Sequence, residues 1–141
     1  MTELASLVRR RAEDCCEYCR FPERAFRRPF HIEHIVAKQH GGATDEGNLA
    51  LACWTCNWKK GPNLTGLDPA TGEIATLFHP RKQAWTEHFR DVILIGDTPS
   101  IEIQGLTPTG RATARLLGFN EEIRPALRYE LAHEALYMIR K

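Results

Sequence analysis

The chain has 141 residues, 43% of them hydrophobic and 26% charged, with 19 Lys/Arg set against 18 Asp/Glu. These are ordinary globular proportions and exclude wholesale disorder, collagen and coiled coil; the length fits one domain with a core of its own. The longest uninterrupted apolar run is Leu49 to Trp54, far short of the roughly 20 residues that span a bilayer. Arg9-Arg10-Arg11 has no apolar stretch behind it, as a signal peptide would require, so a soluble, cytoplasmic chain without a membrane partner is expected. A net charge of +1 does not announce a nucleic-acid binder, but Arg20, Arg24, Arg27 and Arg28 form a local basic stretch opposed only by Glu23.

Leu4, Leu7, Val8 and Ala12 recur at helical spacing behind Thr2 and Glu3, which predicts a helix from Thr2 to about Asp14. Two CxxC pairs follow, Cys16-Glu17-Tyr18-Cys19 and Cys53-Trp54-Thr55-Cys56, with Cys15 left over as a small packed residue or a free thiol. A CxxC turn aims two thiolates at one tetrahedral zinc, and a second turn completes a closed four-cysteine site. The competing redox reading asks for one CxxC at a strand end in a βαβ pattern, so the paired motifs favour zinc. The 33 residues between the pairs exceed a zinc-ribbon gap, and the insert must itself be structured.

Within that insert an Arg-rich loop carries Pro22 and Pro29, and Phe30 to Val36 predicts a strand. His40 to Gly47 predicts a loop, Leu49 to Cys53 a short apolar strand, and Asn57 to Lys60 a short helix stopped by Gly61-Pro62. The expected unit is a β-hairpin followed by a helix, pinned by thiolates at both ends. Further on, Ile74 to Phe78 predicts a strand, and Pro80 to Arg90 a helix burying Ala84, Trp85, His88 and Phe89. Val92 to Ile95 reads as a buried strand, paired through Gly96-Asp97-Thr98-Pro99 with one in which Ile101 and Ile103 alternate with Glu102 and Gln104. Thr107-Pro108 and Gly118 bound a short helix. Asn120 opens a longer helical pattern with Ile123, Leu127, Leu131 and Met138 on one stripe, started late by Pro125.

The chemistry gathers in the hairpin and its helix. Glu33 immediately precedes His34 at a strand end, Asn48 enters the second strand, and Asn57 and Lys60 share one helix face. An imidazole titrates near neutrality and suits a general base, while a carboxylate and a carboxamide offer the oxygen ligands a hard cation prefers. On an ideal strand Glu33 and His34 would face opposite ways.

The stretch FHIEHIVAKQHGGATDEGNLALACWTCNWKKG resembles the HNH endonuclease family, in its ββα-metal subgroup with a paired CxxC zinc clamp. The family's acid-His pair, Gly-Gly loop, Asn-Leu entry and CxxCNxxKG run appear as Glu33-His34, Gly41-Gly42, Asn48-Leu49 and Cys53 to Gly61. Glu33 stands for the commoner Asp, Ala37 for a frequent Pro, and Asn57 for His, as in many members of the subgroup. The resemblance covers residues 15–61. It implies an α+β fold: a zinc-stabilised HNH core over 1–61 with an N-terminal helix, and a small α+β extension over 62–141 packed on it. The segments LFHPRKQAWTEHF and GLTPTGRAT look like those that follow the core in some small stand-alone bacterial proteins.

The resemblance further implies a metal-dependent endonuclease of bacterial or phage derivation that hydrolyses DNA, most readily double-stranded. His34 would be the general base, Glu33 and Asn57 the ligands of Mg²⁺ or Mn²⁺, and Asn48 the residue that steadies the loop around His34. Lys60, with Lys59 as a second candidate, would hold a neighbouring phosphate, and Cys16, Cys19, Cys53 and Cys56 would hold structural zinc. A non-catalytic zinc-stabilised nucleic-acid-binding module is the alternative. His31 falls two residues before Glu33 and is open to a metal or a surface role. His40 is open to substrate or solvent, and His79, His88 and His133 read as structural. Trp54 and Trp58 read as packing around the second knuckle, with base stacking as the minority alternative.

Overall fold

The computed structural model describes residues 2–140. Helix α1 (Glu3–Arg11) is capped by Thr2, whose hydroxyl accepts from the Ala5 amide at 3.0 Å. It stops short of Asp14 because Glu13 (φ 54°) and Asp14 (φ 56°) take left-handed backbone that a helix cannot continue. The chain then turns through the first knuckle, closed by a bridge between Cys15 and Pro22.

Strand β1 (His31–His34) pairs antiparallel with β2 (Leu49–Ala52), from His31 opposite Ala52 to His34 opposite Leu49. All four residues of β2 are buried, which explains its uninterrupted apolar run. Helix α2 (Trp54–Lys60) begins three residues before the predicted Asn57, because the Cys53 thiol accepts the Cys56 amide (3.4 Å) and serves as its N-cap. The hairpin and helix are the predicted ββα unit, and β1 ends at His34.

Residues beyond α2 form two more hairpins and three helices. Strand β3 (Thr65–Leu67), which no periodicity announces, pairs with β4 (Ile74–Thr76). The helix predicted over Pro80 to Arg90 shrinks to one turn, α3 (Trp85–His88). The residues before it are held in a turn by side chains: Gln83 Oε1 accepts the His79 amide (2.9 Å) and His79 Nδ1 accepts the Arg81 amide (3.2 Å). Of the four residues expected to be buried there, Trp85 and Phe89 are, His88 is half-buried and Ala84 is exposed. Strand β5 (Phe89–Leu94) pairs with β6 (Ser100–Gly105). Its inner face is Phe89 and Asp91, whereas Ile93, Leu94 and Ile95, expected inside, are exposed toward the hairpin tip. Asp91 tolerates burial because Tyr137 Oη (2.7 Å) and the Arg140 amide (2.7 Å) donate to it.

Helix α4 (Pro108–Leu116) has the expected Thr107 cap, with its hydroxyl accepting from the Gly110 amide (3.0 Å), and ends at Gly118 (φ +63°). Helix α5 (Arg124–His133) does start late, at its proline. Asn120 lies outside it and instead pairs both its amide groups with the backbone of Ile103. Met138 lies beyond the helix and is exposed, as is Ile123, so the stripe reduces to buried Leu131 and half-buried Leu127. One hydrophobic cluster takes in Val8 of α1, both knuckles, β2, Trp85, Phe89, Ile101, Ile103, Phe119 and Leu131. None of the described helices is long and apolar enough to cross a membrane.

Candidate active site and metal centre

The two CxxC turns meet because the first is zipped to β2 just ahead of the second. The Glu17 amide donates to Leu51 O (2.8 Å), and the Leu51 amide donates back to the Glu17 carboxylate (2.9 Å). The sulfurs of Cys16, Cys19, Cys53 and Cys56 then all lie within 4.8 Å of one another, with Cys19 and Cys53 3.7 Å apart. Tetrahedral zinc with its usual Zn–S bond needs sulfurs about 3.8 Å apart, so the buried donor set fits that ion. The Cys19 and Cys56 amides point at the Cys16 and Cys53 sulfurs at 3.5 and 3.4 Å, as a thiolate knuckle requires. Cys15 is half-buried and stands outside the cluster.

The C-terminal elements brace this centre. Trp85 Nε1 donates to Tyr18 O at 2.7 Å, Arg81 pairs with Glu17, and buried Arg124 approaches the Cys56 sulfur at 3.5 Å. Burial works against the Arg124 charge, but the sulfurs of Cys19, Cys56 and Cys53 more than offset it and raise its pKa. A four-thiolate zinc carries excess negative charge, and a buried guanidinium beside it compensates. No signal in the sequence ties Arg124 to Cys56, 68 residues away.

His31, Glu33, His34, Lys38 and Asn57 line a shallow cleft of about 360 Å³ where the end of β1 meets α2. Glu33 and His31 share a strand face by alternation, and His34 joins them because the strand ends there. The Glu33 carboxylate is buried between two donors, the Tyr18 hydroxyl on one oxygen and the Lys60 ammonium 3.5 Å from the other. Burial pushes its pKa up, partly offset by Lys60 and Tyr18. Tyr18, itself buried, has its own pKa pushed well above normal by burial and by Glu33, so it stays protonated and donates. As the second variable position of a CxxC turn, it carried no signal of this role.

His34 is half-buried, with Nε2 2.8 Å from the Thr44 hydroxyl, a partner that loop composition did not reveal. Asn48 is buried at the entry to β2. Its carboxamide accepts the Val36 amide (2.9 Å) and donates to Val36 O (3.0 Å) and Ala43 O (2.9 Å), clamping both ends of the loop after His34. Lys60 does not fit a phosphate contact. It is 2% exposed and its ammonium donates inward to Ile35 O at 2.8 Å, because α2 turns this face onto the hairpin. Lys59 pairs with Glu121 at 3.0 Å, and Lys38 is the exposed cation at the cleft. His31, His40 and His133 are exposed, and His79 and His88 half-buried.

The Gly-Gly pair serves two different needs. Gly41 has φ +84°, whereas a Cβ on Gly42 would fall 1.7 Å from Val36 O and 2.8 Å from the Asn48 carboxamide nitrogen. Gly42→Ala is therefore expected to cost about 2 kcal/mol, the worth of two Asn48 hydrogen bonds, and to slow any reaction that uses His34. Gly47→Ala, whose Cβ would meet only Asp45 Oδ1 at 3.4 Å, should leave the melting midpoint within a degree or two of wild type.

An antiparallel hairpin and helix closed by a four-cysteine centre, with an acid-His pair over a cleft, define a zinc-stabilised ββα module. Residues 16–63 match the HNH endonuclease family, and the four clustered cysteines are consistent with its subgroup with paired CxxC motifs. No curated protein and no solved structure matches the chain. That match supports a nuclease-type or nucleic-acid-binding function.

Proposed function

We propose that the protein is a metal-dependent endonuclease that hydrolyses phosphodiester bonds in DNA, with His34 as general base. The observation that carries this reading is the placement of His34 at the end of β1, tethered by Thr44 and lining one cleft with Glu33 and Asn57. With Nε2 donating to Thr44, Nδ1 is the nitrogen left to take a proton from the attacking water. Asn48 holds the loop that carries Thr44, and so keeps the imidazole in one orientation. Lys38 at the rim is placed to meet a phosphate neighbouring the scissile one.

Glu33 and Asn57 offer the oxygen donors for a hard divalent cation, Mg²⁺ or Mn²⁺, with exposed His31 on the same strand face as Glu33. Each Glu33 oxygen has one donor partner, which leaves a lone pair on each for a ligand bond. A cation bound there would offset the negative charge that builds on the phosphate during hydrolysis.

One observation favours the alternative, a non-catalytic nucleic-acid-binding module: the Glu33 carboxylate is already committed to Tyr18 and Lys60. Supercoiled plasmid incubated with purified protein separates the two. Relaxed or linear product that requires Mg²⁺ or Mn²⁺ is the expected result; binding without cleavage under either cation would establish the module.

A further inference from the structure

Trp54 and Trp58 are not packed around the knuckle. They are 49% and 74% exposed, one turn apart on the outer ridge of α2. Their rings are parallel to within 7°, with centroids 6.2 Å apart. The inner side of α2 is taken by Cys56 and Lys60, so the helix has no core to offer the indoles. Two aligned, exposed indoles on a helix of this size leave apolar surface in water.

The surroundings select the occupant. Trp58 is the sequence neighbour of Asn57, which lines the candidate catalytic cleft. Trp54 also lines an apolar cavity of about 390 Å³ with Phe26 and Phe30, whose walls carry Arg27, Arg28 and Lys59 together with Glu121 and Glu122. Arg28 lies over Trp54, 5.4 Å from the ring centroid, and Arg24, Arg27 and Arg28 are exposed. Parallel aromatic faces beside exposed guanidinium groups match a chain of flat apolar bases joined by phosphates. A paired duplex keeps its base faces stacked on each other and could not use them.

We infer that the Trp54–Trp58 ridge is a stacking platform for unpaired nucleobases, and that the preferred ligand is a single-stranded DNA segment lying beside the bond to be cut. This rests on the nuclease reading for what happens at the cut, but the binding claim is tested apart from it. The full-length His34→Ala protein, zinc-loaded and without Mg²⁺, is titrated with a single-stranded oligothymidylate and with a blunt duplex of the same length. Fluorescence anisotropy of the labelled DNA gives affinity, and tryptophan emission reports stacking, with buried Trp85 as the unchanged background.

The single strand is expected to quench tryptophan emission and to bind about 10-fold or more tightly than the duplex. Trp58→Ala should weaken single-strand binding by roughly 5- to 150-fold, the usual worth of one stacked base, and leave duplex binding unaltered. Trp58→Phe should restore most of the loss, which a merely structural role for the side chain would not predict. Equal affinity for both DNAs, untouched by Trp58→Ala, would overturn the platform, as would an indole ridge that serves only to associate two copies of the chain. Equal binding of single strand and duplex together with Mg²⁺-dependent plasmid cleavage would overturn the platform and spare the nuclease. Strand-selective binding with no cleavage under any cation would do the reverse.

Discussion

Replacing Cys16 or Cys53 with serine is expected to unfold the protein, and not merely to slow it. The strands of the central hairpin are only four residues each, too short to hold together unaided. The two knuckles that flank the hairpin are joined by a thiolate cluster on which the Glu17–Leu51 zipper, Trp85 and Arg124 all converge. In small zinc modules the ion contributes about 10–16 kcal/mol, comparable to or larger than the whole stability of a domain. Elemental analysis of protein purified without added metal should find about one zinc per chain. Both serine variants should lose that zinc together with the cooperative thermal transition. Acid should release the ion as well, since its ligands bind as thiolates. Cys15→Ser is the control: this thiol stands outside the cluster, and its variant should keep both zinc and melting profile. A Cys53→Ser protein that melts like wild type would contradict the structural role.

The cysteine centre and the ββα unit were legible because their signals are chemical and local. CxxC spacing, a glycine pair and an Asn before an apolar strand each fix a backbone geometry, whatever the rest of the chain does. The two glycines show how specific this is, one needed for its positive φ and the other for the approach of Val36 O. What stayed hidden depends on direction. Spacing places Glu33 and Lys60 near each other but does not say that both turn inward, where Tyr18 and the Ile35 carbonyl receive them. Trp54 and Trp58 read as core because large aromatics usually are, yet cysteine and lysine take the inner face of their helix. In the C-terminal half, periodicity located the hairpin and both longer helices but missed β3. It also stretched α3 over residues that His79 and Gln83 hold in a turn. Side-chain-to-backbone bonds of that kind compete with a helix and leave no periodic trace.

His34→Ala should abolish cleavage while leaving zinc content, melting profile and DNA affinity close to wild type. The side chain is half-buried and its one recorded partner, Thr44, is exposed, so truncation opens no core cavity. Loss of a general base slows a reaction by about 10²- to 10⁴-fold, which in a plasmid assay is indistinguishable from none. Thr44→Val removes only the tether at Nε2 and should give a partial loss, with the protein still folded. The two proposed metals should separate in the same assay. Glu33 and Asn57 offer few ligands to a hard cation that keeps most of its water, so brief EDTA treatment should stop cleavage and excess Mg²⁺ or Mn²⁺ should restore it. Zinc held by four buried thiolates should survive that treatment, and the far-ultraviolet spectrum with it. Asn57→Ala should raise the Mg²⁺ concentration needed for activity without releasing zinc. Cleavage that followed zinc occupancy and ignored added Mg²⁺ would place the chemistry at the thiolates and remove His34 from it.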